Sequence, residues 1–227
     1  MYQNNTNILF SILVQKYNYS KHKEFKIFLT DFIKYKIKSF NGNWNDVTTL
    51  FQKQDDQKSI STFLSQPEQE IKDFKIFCEE SGYHYASEVL QYDIEKIIIT
   101  DSWINVYEKE SSIQKPHFHS NSFICGNYFL NYNKQDHSPL CFLNPNSSFN
   151  QNLNSVLKVK RKLNLNPLNS TESHIECDEG DIIFWPSYIY HFVPKSKNIG
   201  RSTISMNLLP NKILNDLYGF EIIPLTL

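Results

Sequence analysis

The sequence predicts a mainly β protein with helices in its N-terminal part, and three observations predict it. Residues 1–95 carry two apolar repeats at helical spacing. After Lys96 the chain changes to short β-branched and aromatic runs separated by Pro, Asn, Asp and Gly, as in an all-β sandwich or barrel. No Gly- or Pro-rich linker divides the 227 residues. We therefore expect one domain, 1–227, with a mostly helical support region at 1–95 and a β core at 96–227.

Two amphipathic helices are predicted in the N-terminal part. One runs over residues 23–40, where apolar residues alternate with lysines at helical spacing. The other runs over residues 68–92, directly after Pro67, which suits a helix start. Residues 42–57 between them are expected to form a loop, and the apolar run 8–14 a buried strand or helix.

The C-terminal part is predicted to consist of short strands. Two polar, Asn-rich stretches, 144–154 and 164–173, are expected to be loops between them. The predicted strands are 103–108, 122–131, 140–143, 156–160, 181–185, 202–208 and 220–225.

The charge and the cysteine content limit which partners the protein is expected to bind and in which compartment we expect it. The net charge of −1 creates no field that would attract nucleic acid or an anionic membrane. The run 8–14 is far shorter than the ~20 residues that span a bilayer. Four widely spaced cysteines without a Cys-x-x-Cys pair predict reduced thiols and a cytoplasmic protein. Assembly as a homodimer stays open.

Three histidines are candidate metal ligands. His117 and His119 are one residue apart, so an extended strand points both to the same side. His191 supplies a third imidazole if a later strand lies beside the first; otherwise it is a core histidine bonded to a backbone carbonyl. Neutral imidazole binds iron, zinc, copper and nickel alike, so the pattern defines a site without naming its metal.

A polar stripe on the strand 202–208 is a candidate anion site. Arg201, Thr203, Ser205 and Asn207 share one face of this strand. The stripe is either a solvated surface or the wall of a cavity. In a cavity the buried guanidinium needs a carboxylate, which a dicarboxylate ligand supplies, with the Thr203 hydroxyl as a further donor.

Two further residues are weaker candidates. Asn105 projects from its strand either beside the metal or toward solvent. Tyr128 either reaches the dicarboxylate or belongs to the core.

Together these segments resemble the iron(II)- and 2-oxoglutarate-dependent oxygenases, and within them a group of oxygenases with a His-x-His-x-Asn-Ser motif. The resemblance covers about residues 100–209. It is carried by Ser102-Trp103-Ile104-Asn105-Val106, His117-Phe118-His119-Ser120-Asn121-Ser122, Gly126-Asn127-Tyr128-Phe129-Leu130, Gly180-Asp181-Ile182-Ile183-Phe184-Trp185-Pro186-Ser187, His191 and Arg201-Ser202-Thr203-Ile204-Ser205-Met206-Asn207.

The resemblance implies a double-stranded β-helix, a jelly-roll barrel akin to cupins, with iron(II) at its mouth. It implies His117 and His191 as metal ligands, and Arg201 with Thr203 as the anchor for the far carboxylate of 2-oxoglutarate. His119 stands where the superfamily usually has a carboxylate. It is either a third ligand or a neighbour of a two-histidine site, and a shifted register, His119 with Asn121, would demote His117.

The implied activity is a dioxygenase that uses O2 and 2-oxoglutarate. It would hydroxylate a peptide or protein side chain or a small molecule, and release succinate and CO2. Two alternatives stay open: a three-histidine zinc hydrolase or lyase, and a non-catalytic cupin-like binding protein. The primary substrate would be selected by the predicted loops 109–115 and 144–170.

Overall fold

The computed structural model describes residues 11–36, 42–44, 47–51, 62–145 and 170–223. Within these ranges the chain forms two α-helices, thirteen β-strands and two short turns of 3₁₀ and π helix. In chain order the helices and strands are β1 (Gln15–Asn18), α1 (His22–Lys36), β2 (Gly42–Trp44), β3 (Val47–Leu50), α2 (Gln69–His84), β4 (Ile97–Val106), β5 (Gln114–His117), β6 (Ile124–Asn131), β7 (Cys141–Leu143), β8 (Glu172–His174), β9 (Asp181–Pro186), β10 (His191–Val193), β11 (Ser202–Pro210), β12 (Lys212–Leu214) and β13 (Gly219–Glu221).

The strands form a large sheet, a smaller sheet and a hairpin, all with antiparallel pairing. The large sheet has seven strands in the order β1-β9-β6-β11-β4-β3-β2, and the smaller sheet has the order β5-β10-β7-β8. The hairpin pairs β12 with β13. Between β4 and β11 the chain passes repeatedly from one sheet to the other, which brings residues distant in sequence to neighbouring positions.

The two faces of the large sheet bury different side chains, because successive residues of a strand point to opposite faces. One face, with Tyr128 and Phe184, packs in a core cluster with residues of α1 and α2. The opposite face, with Phe129 and Trp185, packs in a second cluster with Phe142 of the smaller sheet. The second cluster is the one that adjoins the candidate site.

The fold class predicted from sequence, mainly β with N-terminal helices, is confirmed. The segment 42–57 was expected to be a loop, but its described part forms β2 and β3, and β3 pairs with β4. The second helix ends at His84 and continues as a π-helical turn, Tyr85–Val89. The predicted strand 156–160 lies outside the described residues.

All four cysteines lie within the described residues, where they are buried and form no disulfide. None of the helices in the described ranges combines the length and the apolar character needed to cross a bilayer.

Candidate metal centre

Strand pairing within the smaller sheet brings two of the three histidines together. His117 is the last residue of β5, His191 is the first residue of β10, and the two are direct antiparallel partners. Their ring centroids lie 4.2 Å apart. The sequence predicted a third imidazole only if a later strand lies beside the strand of His117. The structure shows this pairing, between β10 and β5.

His119 joins the pair from the loop that follows β5. Its ring centroid lies 5.3 Å from that of His117 and 4.9 Å from that of His191. Asn121, the partner in the alternative register, is exposed and has a left-handed backbone with φ 55°. The structure thus gathers His117, His119 and His191, with Asn121 outside the group.

Hydrogen bonds fix the tautomer of each ring. His117 Nδ1 lies 2.8 Å from the Lys115 carbonyl oxygen, and His191 Nδ1 lies 3.1 Å from that of Ile189. His119 Nδ1 lies 2.5 Å from Oδ1 of Asn207. Oxygens of this kind only accept hydrogen bonds, so each Nδ1 carries the proton and donates. The lone pair of each ring is then on Nε2, as in histidines that bind metals.

Burial keeps the three rings neutral. The pKa of His191 is held well below its ordinary value by burial, and further by the neighbouring His117 and His119. Burial lowers the pKa of His117 to about 4, against the opposing effect of the Lys115 carbonyl. Burial also lowers the pKa of His119. At neutral pH all three imidazoles are in the form that binds a metal ion.

The geometry fits one divalent cation. One ring nitrogen of each histidine lies within 4.8 Å of those of the other two. Two imidazole nitrogens bound to one ion at ~2.1 Å each are at most about 4.2 Å apart, so binding requires shifts below about 1 Å. Within the described ranges the cluster contains no carboxylate. A third neutral imidazole in place of a carboxylate makes the bound centre more positive by one charge.

Arg201 is fully buried and only partly hydrogen-bonded. Its Nε donates to the Ser138 carbonyl oxygen at 3.1 Å, while Nη1 and Nη2 have no hydrogen-bond partner in the described part of the chain. The guanidinium lies over the ring of Tyr107, 4.6 Å from its centroid, and near Phe129 and Tyr132. A buried cation with two unused donors fits a carboxylate ligand.

The Tyr107 hydroxyl forms its hydrogen bond with Gln114 and not with Arg201. It donates to Gln114 Oε1 at 2.7 Å. Burial raises the pKa of Tyr107 to about 12, and the nearby positive charge of Arg201 only partly offsets this. Although the hydroxyl is close enough to Arg201 to be affected electrostatically, no hydrogen bond of sound geometry joins it to Nη1 or Nη2. Tyr107 is thus neutral and leaves the guanidinium uncompensated.

The polar stripe on β11 faces the interior between the sheets, which decides the question that the sequence left open. Arg201 and Thr203 expose at most 1% of their surface to solvent. Asn105 is equally buried and is Thr203's partner across the β11–β4 pairing. Its amide accepts from Thr49 and donates to Ser205, so it is engaged within the sheet.

Tyr128 lies on the opposite face of the large sheet, which corrects the expectation that it contacts the dicarboxylate. Its ring packs against Phe74 with centroids 4.6 Å apart. Its hydroxyl lies 2.6 Å from His22 Nδ1 on α1. The physical reason is strand alternation: the neighbouring positions Asn127 and Phe129 face the candidate site, so Tyr128 cannot.

Sequence reasoning gave no role to three residues that the structure places here. Asn207 holds His119, the Cys125 thiol lies 3.2 Å from the same nitrogen of His119, and the Trp185 ring lies 4.9 Å from that of His191. Asn207 belonged to the recognised stripe, but its partner is 88 positions earlier in the chain.

Comparison with known families agrees with this geometry. Residues 101–207 match the model of the family described as "Putative 2OG-Fe(II) oxygenase". The match covers just under half of the chain, and it includes His117, His119, His191 and Arg201. Oxygenases of this family use iron(II), 2-oxoglutarate and O2, and act on a further, primary substrate. None of the curated proteins matches the chain.

Solved structures show the same fold at low sequence identity. A Pseudomonas putida prolyl-4-hydroxylase has 8% identity and a TM-score of 0.53, over 86% of this chain and 91% of that one. A Trichoplax adhaerens prolyl hydroxylase in complex with a hypoxia inducible factor peptide has 13% identity and a TM-score of 0.53, over 86% and 82%.

The third comparison is a carbocyclase, SnoK, from nogalamycin biosynthesis. It has 12% identity and a TM-score of 0.53, over 84% of this chain and 76% of that one. The two sheets of this protein thus have the jelly-roll fold of these proteins, although the described strands do not close into one barrel.

Proposed function

We propose that this protein is an iron(II)- and 2-oxoglutarate-dependent dioxygenase that hydroxylates a peptide or protein side chain or a small molecule, releasing succinate and CO2. His117, His119 and His191 hold the iron. Arg201, assisted by the Thr203 hydroxyl, binds the far carboxylate of 2-oxoglutarate. The family match over residues 101–207 and the histidine cluster support the first assignment, and the buried guanidinium supports the second.

The single observation that carries this proposal is the guanidinium of Arg201, which is buried without an anionic partner among the described residues and directly precedes the strand that orients His119. Arg201 precedes β11, and Asn207, on the same strand face, accepts the hydrogen bond of His119. A buried cation without an anionic partner is costly unless a ligand supplies one. A metal site alone, such as that of a hydrolase, does not need this residue.

Each protein group has a defined task in the proposed reaction. When bound, iron(II) and 2-oxoglutarate supply the activation of O2 and the oxidising power. The carbonyls of Lys115 and Ile189 and the amide of Asn207 fix the imidazole tautomers, so the ligands need no rearrangement. Arg201 orients 2-oxoglutarate through two parallel donors. The aromatic residues around the site, including Tyr107 and Trp185, exclude water.

A zinc hydrolase or lyase is the second candidate, because three histidines are also a donor set of catalytic zinc sites. Such an enzyme would activate a metal-bound water and would need neither O2 nor Arg201. A cupin-like binding protein would retain affinity for 2-oxoglutarate without turnover. The oxygenase therefore requires O2 and Arg201, the hydrolase or lyase requires neither, and the binding protein binds 2-oxoglutarate without forming product.

The proposal is tested by succinate formation from 2-oxoglutarate in the presence of iron(II) and O2, with an anaerobic sample and a zinc-loaded sample as controls. The assay uses long incubation at high protein concentration, because no primary substrate is added. We expect succinate only with iron(II) and O2 together. Binding of 2-oxoglutarate without succinate would favour the binding protein, and no binding would contradict the assignment.

We also propose that the chain is one domain in the cytoplasm. One core cluster contains residues of α1, α2 and the large sheet together, which supports a shared core for 1–95 and 96–227. Four buried, unbonded cysteines agree with a reducing compartment. Homodimer formation stays a prediction.

A further inference from the structure

A row of polar side chains crosses the large sheet between the histidines and Arg201. Thr49 Oγ1 donates to Asn105 Oδ1 at 3.3 Å, and Asn105 Nδ2 donates to Ser205 Oγ at 3.1 Å. Ser205 Oγ donates to Asn127 Oδ1, also at 3.1 Å. All four side chains are at least nine-tenths buried. Polar groups buried between two sheets are costly, so an ordered row of them calls for an explanation.

The row has a direction. A serine hydroxyl has one proton, and Ser205 already accepts from Asn105, so its proton goes to the next residue. Asn127 must then present Oδ1 to Ser205 and turn Nδ2 away from it. This Nδ2 is buried and has no hydrogen-bond partner in the described part of the chain. The row therefore ends in an oriented amide donor that lacks an acceptor.

The position of Asn127 relates this donor to the candidate site. Cys125, Asn127 and Phe129 share one face of β6. Cys125 contacts His119, with Sγ 3.2 Å from Nδ1, and the Phe129 ring centroid lies 5.7 Å from Cζ of Arg201. Asn127 is two residues from each, a backbone distance of about 7 Å at 3.3 Å per residue. It thus lies midway between the metal cluster and the guanidinium.

We propose that Asn127 Nδ2 donates a hydrogen bond to a carboxylate oxygen of bound 2-oxoglutarate, and that Thr49, Asn105 and Ser205 are positioning residues that hold the amide in its donor orientation. This inference rests on the proposed function. A dicarboxylate that runs from the histidines to Arg201 passes Asn127, and its oxygens are acceptors only. Asn105, which the sequence placed either beside the metal or toward solvent, acts on the co-substrate through Ser205 and Asn127.

Asn127, which is buried, and Asn207, which is partly buried, allow a crossed test, because Asn127 is assigned to 2-oxoglutarate and Asn207 to the metal. The full chain is loaded with zinc(II), which is redox-inert and diamagnetic, and the Kd values for zinc(II) and for 2-oxoglutarate are measured separately. We expect Asn127→Leu to weaken 2-oxoglutarate binding about 10- to 100-fold and to change the zinc Kd less than twofold. Asn207→Leu is expected to show the opposite pattern, with a larger loss of affinity for zinc(II) than for 2-oxoglutarate.

A second variant and a second readout separate positioning from folding. Ser205→Ala keeps Asn127 but removes the donor that orients it, so we expect a smaller loss of 2-oxoglutarate affinity, about 3- to 10-fold. In the wild-type zinc protein, the side-chain amide resonances assigned to Asn127 should shift when 2-oxoglutarate is added. This readout does not depend on the stability of any variant.

The outcomes distinguish this inference from the proposed function. Wild-type affinity for 2-oxoglutarate in Asn127→Leu, an equal loss of zinc and 2-oxoglutarate binding, or an amide resonance that does not move would each overturn the role of Asn127 while the dioxygenase assignment stands. A wild-type protein that binds no 2-oxoglutarate would overturn both.

Discussion

His119 Nδ1 lies 2.5 Å from Oδ1 of Asn207, which links a loop beside the smaller sheet to the central strand β11 of the large sheet. The bond fixes the ring tautomer and leaves the lone pair on Nε2, the nitrogen available to a metal ion. It also ties the histidine cluster to the strand that Arg201 precedes. The arrangement of the candidate site therefore depends on contacts between the two sheets as well as on the ligands themselves.

The first prediction concerns this bond. Asn207→Leu should weaken metal binding about 10- to 100-fold, because the His119 ring loses the acceptor that sets its tautomer and orientation. The Kd is measured by competition with a chromophoric chelator. Asn215→Ala, in the C-terminal hairpin, serves as the control and should bind metal like the wild type. Unchanged metal affinity in Asn207→Leu would show that the bond does not support the site.

The second prediction separates the anchor from the metal ligands. Arg201→Met should weaken 2-oxoglutarate binding at least about 100-fold, because a buried charge-assisted pair is lost. Metal affinity should change little, since Arg201 is not a member of the histidine cluster. Calorimetric titration of the zinc-loaded protein measures both affinities. An equal loss of both, or of neither, would contradict the assigned anchor.

The same residue predicts an effect on stability. In the absence of ligand, the guanidinium of Arg201 is buried and has no anionic partner among the residues that the structure describes. Binding of 2-oxoglutarate should therefore raise the melting temperature of the wild-type zinc protein, as expected for a ligand that binds only the folded state. Arg201→Met should lose this ligand-induced increase but melt no earlier than the wild type without ligand. Equal stabilisation of both proteins by 2-oxoglutarate would argue against the anchor.

The third prediction follows from the lowered pKa values of the histidines. The folded-state pKa of His117 is about 4, and that of His191 is also below its ordinary value of 6.5. Below about pH 6.5 the unfolded chain therefore binds more protons than the folded one. The stability of the metal-free protein should fall as the pH drops from about 6.5 toward 4 and should not depend on these groups above about 7.

Denaturant titrations across this pH range measure the effect. His191→Gln should show a smaller loss of stability at low pH than the wild type, because one of the shifted groups is absent. His174→Gln, an exposed histidine near Glu176, is the control and should follow the wild type. If His191→Gln and the wild type lose stability in parallel, burial of neutral His191 is not the cause.

The fourth prediction tests the placement of Tyr128. Tyr128→Phe removes a partly buried hydrogen bond to His22 and should lower the free energy of unfolding by about 1 kcal/mol. Because the hydroxyl lies on the helix-covered face, the Kd for 2-oxoglutarate should stay within about twofold of the wild-type value. A large loss of 2-oxoglutarate affinity with unchanged stability would place Tyr128 in the site after all.

The sequence was sufficient to select His117, His119 and Arg201 as candidates, because each has a local signature, but it left open whether His191 lies beside the pair and whether Arg201 is buried. The His-x-His spacing puts two rings on one side of an extended chain, and the alternation on β11 separates a polar face from an apolar one. The sequence did not show toward which face of the sheet Asn127 and Tyr128 point. β6 is buried on both faces, so its hydrophobic pattern does not show which residues point to the helices and which to the site.

The same reason explains the strands missed near residue 50. β3 is buried at all four positions, but two of them are threonines, and the segment lacks the alternation that marks a half-exposed strand. Its pairing with β4 and the bond from Thr49 to Asn105 depend on residues more than fifty positions away. Local sequence does not contain this information.

Release of labelled CO2 from 2-oxoglutarate labelled at its C1 carboxylate tests the central claim most directly. With iron(II) and O2 we expect release by the wild type, about 100-fold or more slower release by Arg201→Met at low 2-oxoglutarate, and none above background by His117→Ala or His191→Ala. Iron-dependent release that persists in all three variants would contradict the account, as would a wild type that binds iron(II) and 2-oxoglutarate but releases no label.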